Sequence, residues 1–95
     1  MPTASEAIRI TILDYDLDRI NACEKSLYQA LRELGLKGVV VHISEPPYLA
    51  RLQVWERMPA LEIDGLIWSR ASTEAFKKDE VITLLGNICG KDIKR

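Results

Sequence analysis

Two cysteines, a single histidine and a run of alternating aspartates are the residues of this 95-residue chain whose types could carry chemistry. Cys23 and Cys89 stand far apart and form no CxxC, the spacing that lets a nucleophilic and a resolving thiol share a disulfide. Cys23 falls on the apolar stripe of a helical segment, where a cysteine is ordinarily a small buried hydrophobe rather than a redox thiol. It could meet Cys89 only if the first and last helices packed on the same sheet face, with Cα atoms within about 7 Å. His42 lies near the end of an apolar run with no second histidine and no neighbouring cysteine. It makes no metal site and reads as a partly exposed strand residue. No Ser/His/Asp set assembles, and no glycine-rich phosphate loop is present in the sequence.

Asp14, Asp16 and Asp18 follow an apolar strand-like run. Asp-x-Asp in that place resembles the nucleophile motif of haloacid-dehalogenase-like phosphatases, but that fold needs a far larger chain. As a calcium loop the spacing starts well, yet Arg19 stands where glycine is needed and Lys25 where a bidentate glutamate is needed. The aspartates therefore read as caps and solvated charges at a helix start. Trp55 and Trp68 could stack on a ligand, but by periodicity both fall on inward faces and read as core.

The elements that position these residues follow from the spacing of apolar side chains. Residues 7–13 alternate Ile8, Ile10 and Ile12 with Arg9 and Thr11, a strand dominated by β-branched residues. Residues 19–34 carry Ile20, Cys23, Leu27, Ala30, Leu31 and Leu34 at spacings of three and four. That is one helical stripe, with Asp18 as N-cap and Gly35 as a left-handed stop. After Gly38, Val39-Val40-Val41-His42-Ile43 suits a parallel strand covered on both faces. Ser44-Glu45-Pro46-Pro47 breaks that run. A second helix over 48–56 would turn Leu49, Leu52 and Trp55 inward and stop before Pro59. The stretch 58–68 holds two short strands around Asp64-Gly65, a turn in which both central residues take positive φ. Ile63 then faces Leu66 and Leu61 faces Trp68 on one apolar face, with Ala60, Glu62 and Ile67 on the other. Residues 69–78 are a polar connection. A last helix over 79–89 has Val81, Leu84, Leu85 and Ile88 as its stripe and Gly90 at its end, with a basic tail over 91–95.

The length suits a single domain over 1–95, with residues 1–6 as a flexible lead. Apolar residues make up 47% and charged residues 28%, the composition of a globular rather than a disordered chain. A net charge of −1 leaves no electrostatic footprint for nucleic acid or an anionic membrane. No apolar run approaches the roughly 20 residues that span a bilayer. The first residues lack the basic and apolar regions of a signal peptide, and with so few cysteines a cytoplasmic chain is expected.

The order β-α-β-α-β-β-α predicts an α/β domain with a four-stranded mixed sheet, a parallel pair plus an antiparallel hairpin, and helices on both faces. Three stretches carry a family likeness: Ile10-Thr11-Ile12-Leu13, Ala30-Leu31-Arg32-Glu33-Leu34-Gly35, and Met58-Pro59-Ala60-Leu61-Glu62-Ile63-Asp64-Gly65. Through them the chain resembles the thioredoxin-like fold, in particular small glutaredoxin-like proteins, over nearly its whole length. The resemblance implies that Pro59 is a cis-proline and that Met58 offers its backbone to a bound peptide. It also puts the family's CxxC on Leu17-Asp18-Arg19-Ile20, where neither cysteine lies. It therefore implies a redox-inactive domain that keeps a docking corner. That corner would bind a protein or peptide partner, or a second copy of the chain, through Tyr15, Leu17, Asp18, Arg19, Ile20, Met58 and Pro59. No cofactor, metal, nucleic acid or membrane enters this reading. The alternative is a thiol–disulfide oxidoreductase acting through Cys23, with Cys89 or an external thiol resolving. A third reading is assembly through an exposed sheet edge.

Overall fold

A computed structural model describes residues 7–70 and 72–93, with the side chains of the last helix described as far as Asn87. In chain order these form strand β1 (Ile8–Leu13), helix α1 (Leu17–Leu34), strand β2 (Gly38–Ile43), helix α2 (Pro46–Arg51), strands β3 (Ala60–Ile63) and β4 (Leu66–Trp68), and helix α3 (Lys78–Ile93). The sheet order is β2-β1-β3-β4. β1 and β2 run parallel, and β3 is antiparallel to both β1 and β4. The chain is thus α/β with a four-stranded mixed open sheet. The lead expected over residues 1–6 and the tail end at 94–95 lie outside the described residues. So does the side chain of Cys89, on which any pairing with Cys23 would depend.

Strand alternation divides the interior in two. Ile10 and Ile12 of β1 join Leu61 and Ile63 of β3 in a cluster with Ile20, Cys23 and Leu27 of α1 and Val81 and Leu85 of α3. Leu13 and Ala60 point the other way and pack with Leu49, Val54 and Met58 around α2. Helices therefore cover both faces. Each fully buried leucine or isoleucine here is worth about 1.5–3 kcal/mol relative to exposure. The hairpin has the expected register, Leu61 with Trp68 and Ile63 with Leu66, and Asp64 and Gly65 both take positive φ, 54° and 81°. Leu66 differs from expectation: it is exposed beside the turn, beyond the reach of the helices. β2 differs as well. It is an edge strand, and Val39 is exposed rather than covered.

The helix ends correct the sequence reading most. α1 starts at Leu17, with Asp16 rather than Asp18 as N-cap; the Asp16 carboxylate accepts the Arg19 N–H at 3.1 Å, and Asp18 sits in the first turn. At the other end Gly35 (φ 69°) donates to the Arg32 carbonyl and Leu36 to that of Leu31, a doubly hydrogen-bonded left-handed ending. Leu34, placed on the inner stripe, is exposed in this last turn. α2 ends in the same way, but with Gln53 (φ 62°) in the left-handed position, donating to Ala50 while Val54 donates to Leu49. That ending stops the helix at Arg51 instead of residue 56. The chain reverses, Val54 is carried inward onto Leu49, and Trp55 is left outside. α3 passes through Gly86 and Gly90 to Ile93. A lone helical glycine costs only about 1 kcal/mol relative to alanine, which does not end a packed helix.

Candidate functional site

The carboxyl end of β1 meets the amino end of α1 at Asp14, expected to be a solvated charge and found 0% exposed. Its N–H donates to the Ile43 carbonyl at 3.3 Å, which prolongs the β1–β2 ladder and keeps Asp14 in phase with the inward-facing Ile10 and Ile12. A buried carboxylate is costly unless hydrogen-bonded. Asp14 accepts four bonds: from the N–H of Tyr15 (2.7 Å) and Asp16 (3.2 Å), and from Arg19 Nε (2.7 Å) and Nη2 (2.7 Å). The two from Arg19 fall on different carboxylate oxygens, a bidentate fork. This bonding holds the Arg19 pKa above its ordinary value despite partial desolvation. Arg19 Nη1 also donates to the Thr73 carbonyl at 3.2 Å, tying the corner to the segment before α3.

Outside this ion pair lies an apolar surface. Leu17 is 64% exposed, Tyr15 51% and Trp55 47%. The Tyr15 and Trp55 rings stack with centroids 5.4 Å apart and planes 31° apart. The Arg19 guanidinium lies 5.7 Å from the Tyr15 ring centroid, within cation–π range. Arg19 thus links a buried carboxylate to an exposed aromatic pair. Trp55 is the site residue that sequence reasoning misses, because its helical spacing from Leu49 and Leu52 places it in the core. The available signal was its closeness to Pro59, where a helix is already ending.

The other expected site residues divide by burial. Asp18 is exposed in the first turn of α1. Ile20 is buried in the core with Cys23 and Leu27, and Met58 and Pro59 are buried as well. Ile20 and Met58 pack into the two core clusters and Pro59 is buried between Met58 and Ala60 in the chain, so none of the three lines the surface. The Met58–Pro59 bond is cis. Ala60 pairs with Leu13, the last pair of the β1–β3 ladder, so Met58 and Pro59 enter β3 at the end where β1 gives way to Asp14 and Tyr15. Among the described residues, none makes a main-chain hydrogen bond to Met58.

Cys23 is fully buried, and burial pushes its thiol pKa up, only partly offset by the Phe76 N–H that it accepts at 3.4 Å. Nucleophilic cysteines need the opposite, a stabilised thiolate that solvent can reach. Its environment therefore counts against chemistry at this sulfur. Among the described residues no group of three His, Cys, Asp or Glu side chains could hold a metal, and no helix is long and apolar enough to cross a membrane. The polar connection before α3 is ordered by a second arginine. Arg70 stacks 4.1 Å from the Phe76 ring centroid, bonds Glu80 through Nε (2.7 Å) and Nη2 (3.0 Å), and donates to the Ser72, Glu74 and Ala75 carbonyls. That pairing holds the Glu80 pKa below its ordinary value.

The chain matches no family model, and no curated protein or solved structure matches it. Its class rests on its own structure: an α/β protein whose mixed sheet presents a clamped aromatic corner at the end of its second-in-order strand, β1.

Proposed function

We propose that this is a redox-inactive thioredoxin-like domain of the cytoplasm that binds an extended protein segment at the Tyr15–Leu17–Trp55 corner. The observation that carries the reading is an exposed aromatic and aliphatic cluster, braced by the pairing of buried Asp14 with Arg19, near the Met58 main chain, which bonds to no main-chain group among the described residues. A peptide would pair its backbone with Met58 and set apolar side chains against Leu17, Tyr15 and Trp55, while Asp18 and Arg19 select charge at the rim. Tyrosine, tryptophan and arginine are the residue types that dominate binding hot spots. In the stretch Leu17-Asp18-Arg19-Ile20, which corresponds to the family's redox motif, Leu17, Asp18 and Arg19 serve as contact surface and helix start, and Ile20 anchors the turn in the core.

Peptides selected from a displayed random library, with affinities measured by calorimetry, test this. Leu17→Asp and Trp55→Ser should each weaken a selected peptide by about tenfold or more, as loss of a hot-spot residue does. Tyr28→Ser, which alters an exposed aromatic in the middle of α1, should leave binding unchanged. Binding indifferent to Leu17 and Trp55, or no binder from selection, removes the proposal.

A further inference from the structure

β2 is the outer strand of the sheet, and among the described residues no strand pairs with its open side. The direction of its main-chain groups can be read from the ladder. The carbonyls of Lys37 and Ile43 accept from Ile8 and Asp14, so odd-numbered residues bond to β1. Gly38, Val40 and His42 therefore point their N–H and C=O groups outward. The strand, Gly-Val-Val-Val-His-Ile, contains no proline, no bulge and no inward charge, the devices that keep edge strands from pairing. Val39 is 47% exposed on the α2 face, and Val41 and Ile43 beside it are only partly covered.

We infer that this edge is a dimer interface in which two copies of the chain pair antiparallel through β2, about a two-fold axis at Val41. Hydrogen-bonded pairs must join outward-pointing residues, which leaves Val40 opposite His42 and Gly38 opposite Ser44, each twice. Between them Val41 meets its own copy, Val39 meets Ile43, and Lys37 meets Glu45, all on the α2 face. Lys37 and Glu45 are exposed, and among the described residues neither belongs to an ion pair. The register is singled out by charge. An axis at Val40 sets Lys37 against Ile43, and an axis at His42 sets Val39 against Glu45. A cleft of about 460 Å³ lined by His42, Ile43, Ser44, Glu45 and Tyr48 opens at the carboxyl end of the strand, where the second copy's Gly38 and Lys37 run. Such an interface is isologous, closes on itself, and produces one continuous eight-stranded sheet. It uses none of the residues of the docking corner and stands independently of that reading.

Sedimentation equilibrium of the full chain from about 10 μM to about 1 mM covers the range expected for a contact of this small area. The wild type should show a monomer–dimer equilibrium. Lys37→Glu alone and Glu45→Lys alone each oppose like charges at both ends of the interface, and each should raise the dimer Kd about tenfold. The double reversal, Lys37→Glu with Glu45→Lys, should return it to within about threefold of wild type. Both side chains are exposed, so the variants keep the fold. A chain monomeric throughout, single reversals without effect, or a double reversal that fails to restore dimerisation each overturns the inference.

Discussion

Removing Arg19 exposes how much of the corner depends on one ion pair. Arg19→Ala leaves the Asp14 carboxylate, 0% exposed, with only the Tyr15 and Asp16 N–H groups as donors. Stripping one partner from a buried pair costs about 3–5 kcal/mol. Here the Arg19 side chain is 24% exposed and two main-chain donors survive, so the cost falls to about 2–3 kcal/mol. Against a total stability of about 5–14 kcal/mol for a domain of this length, that is a large fraction. Arg19→Lys should recover less than half of it, because one ammonium cannot reproduce a two-pronged fork on both oxygens. In the double variant with Asp14→Ala the losses should fall short of additive by at least about 1 kcal/mol, the sign of direct coupling. Urea unfolding followed by far-ultraviolet circular dichroism measures the wild type, the three single variants and the double variant, with the m-value checked for constancy. If Arg19→Ala costs under about 0.5 kcal/mol, the pair behaves as an ordinary surface salt bridge and the bracing of Tyr15 and Trp55 loses its basis.

Three further outcomes follow from the same structure. In a Cys89→Ser background, Cys23 should resist a disulfide thiol reagent at about pH 8 and react once urea unfolds the chain; rapid labelling of the native protein contradicts its burial. Glu80 is held below its ordinary pKa by Arg70, so the unfolded chain takes up that proton first as pH falls. Its contribution is complete above the ordinary glutamate pKa and is lost as pH drops through the folded value. With the Glu80 side chain 41% exposed, solvent screening limits it to under about 1 kcal/mol. Glu80→Gln should flatten the stability curve between about pH 5 and pH 3, and an unchanged curve refutes the pairing. Gln53 holds a left-handed conformation (φ 62°) that suits glycine, so Gln53→Gly should stabilise by about 0.5–1 kcal/mol and raise Tm by a few degrees; a lower Tm contradicts this account of the α2 ending.

Most of the sheet could be read from the sequence because it rests on local signals. The β-branched alternation of β1, the Asp64-Gly65 turn and Gly35 each constrain the backbone where they stand, and each appears as expected. The end of α2 could not be read that way. Gln53 carries no propensity for a left-handed turn, and its conformation comes from Val54 packing back onto Leu49. That single turn decides whether Trp55 is core or surface. Asp14 hid for a related reason. A carboxylate after a strand suggests solvent, and only the phase it shares with Ile10 and Ile12, together with an arginine five residues on, points to a buried pair. Burial likewise separates Leu17 from Ile20, neighbours on one helical turn with opposite exposure.

A map of amide chemical-shift changes, with 15N-labelled chain titrated by a selected peptide, addresses the docking corner most directly. The account predicts the largest changes at Tyr15 to Arg19, at Trp55 and at the Met58 N–H, with the Trp55 indole N–H moving among them. Changes centred instead on the outer face of α1 around Tyr28, or on the groove between Trp68 and Asn87, would contradict it.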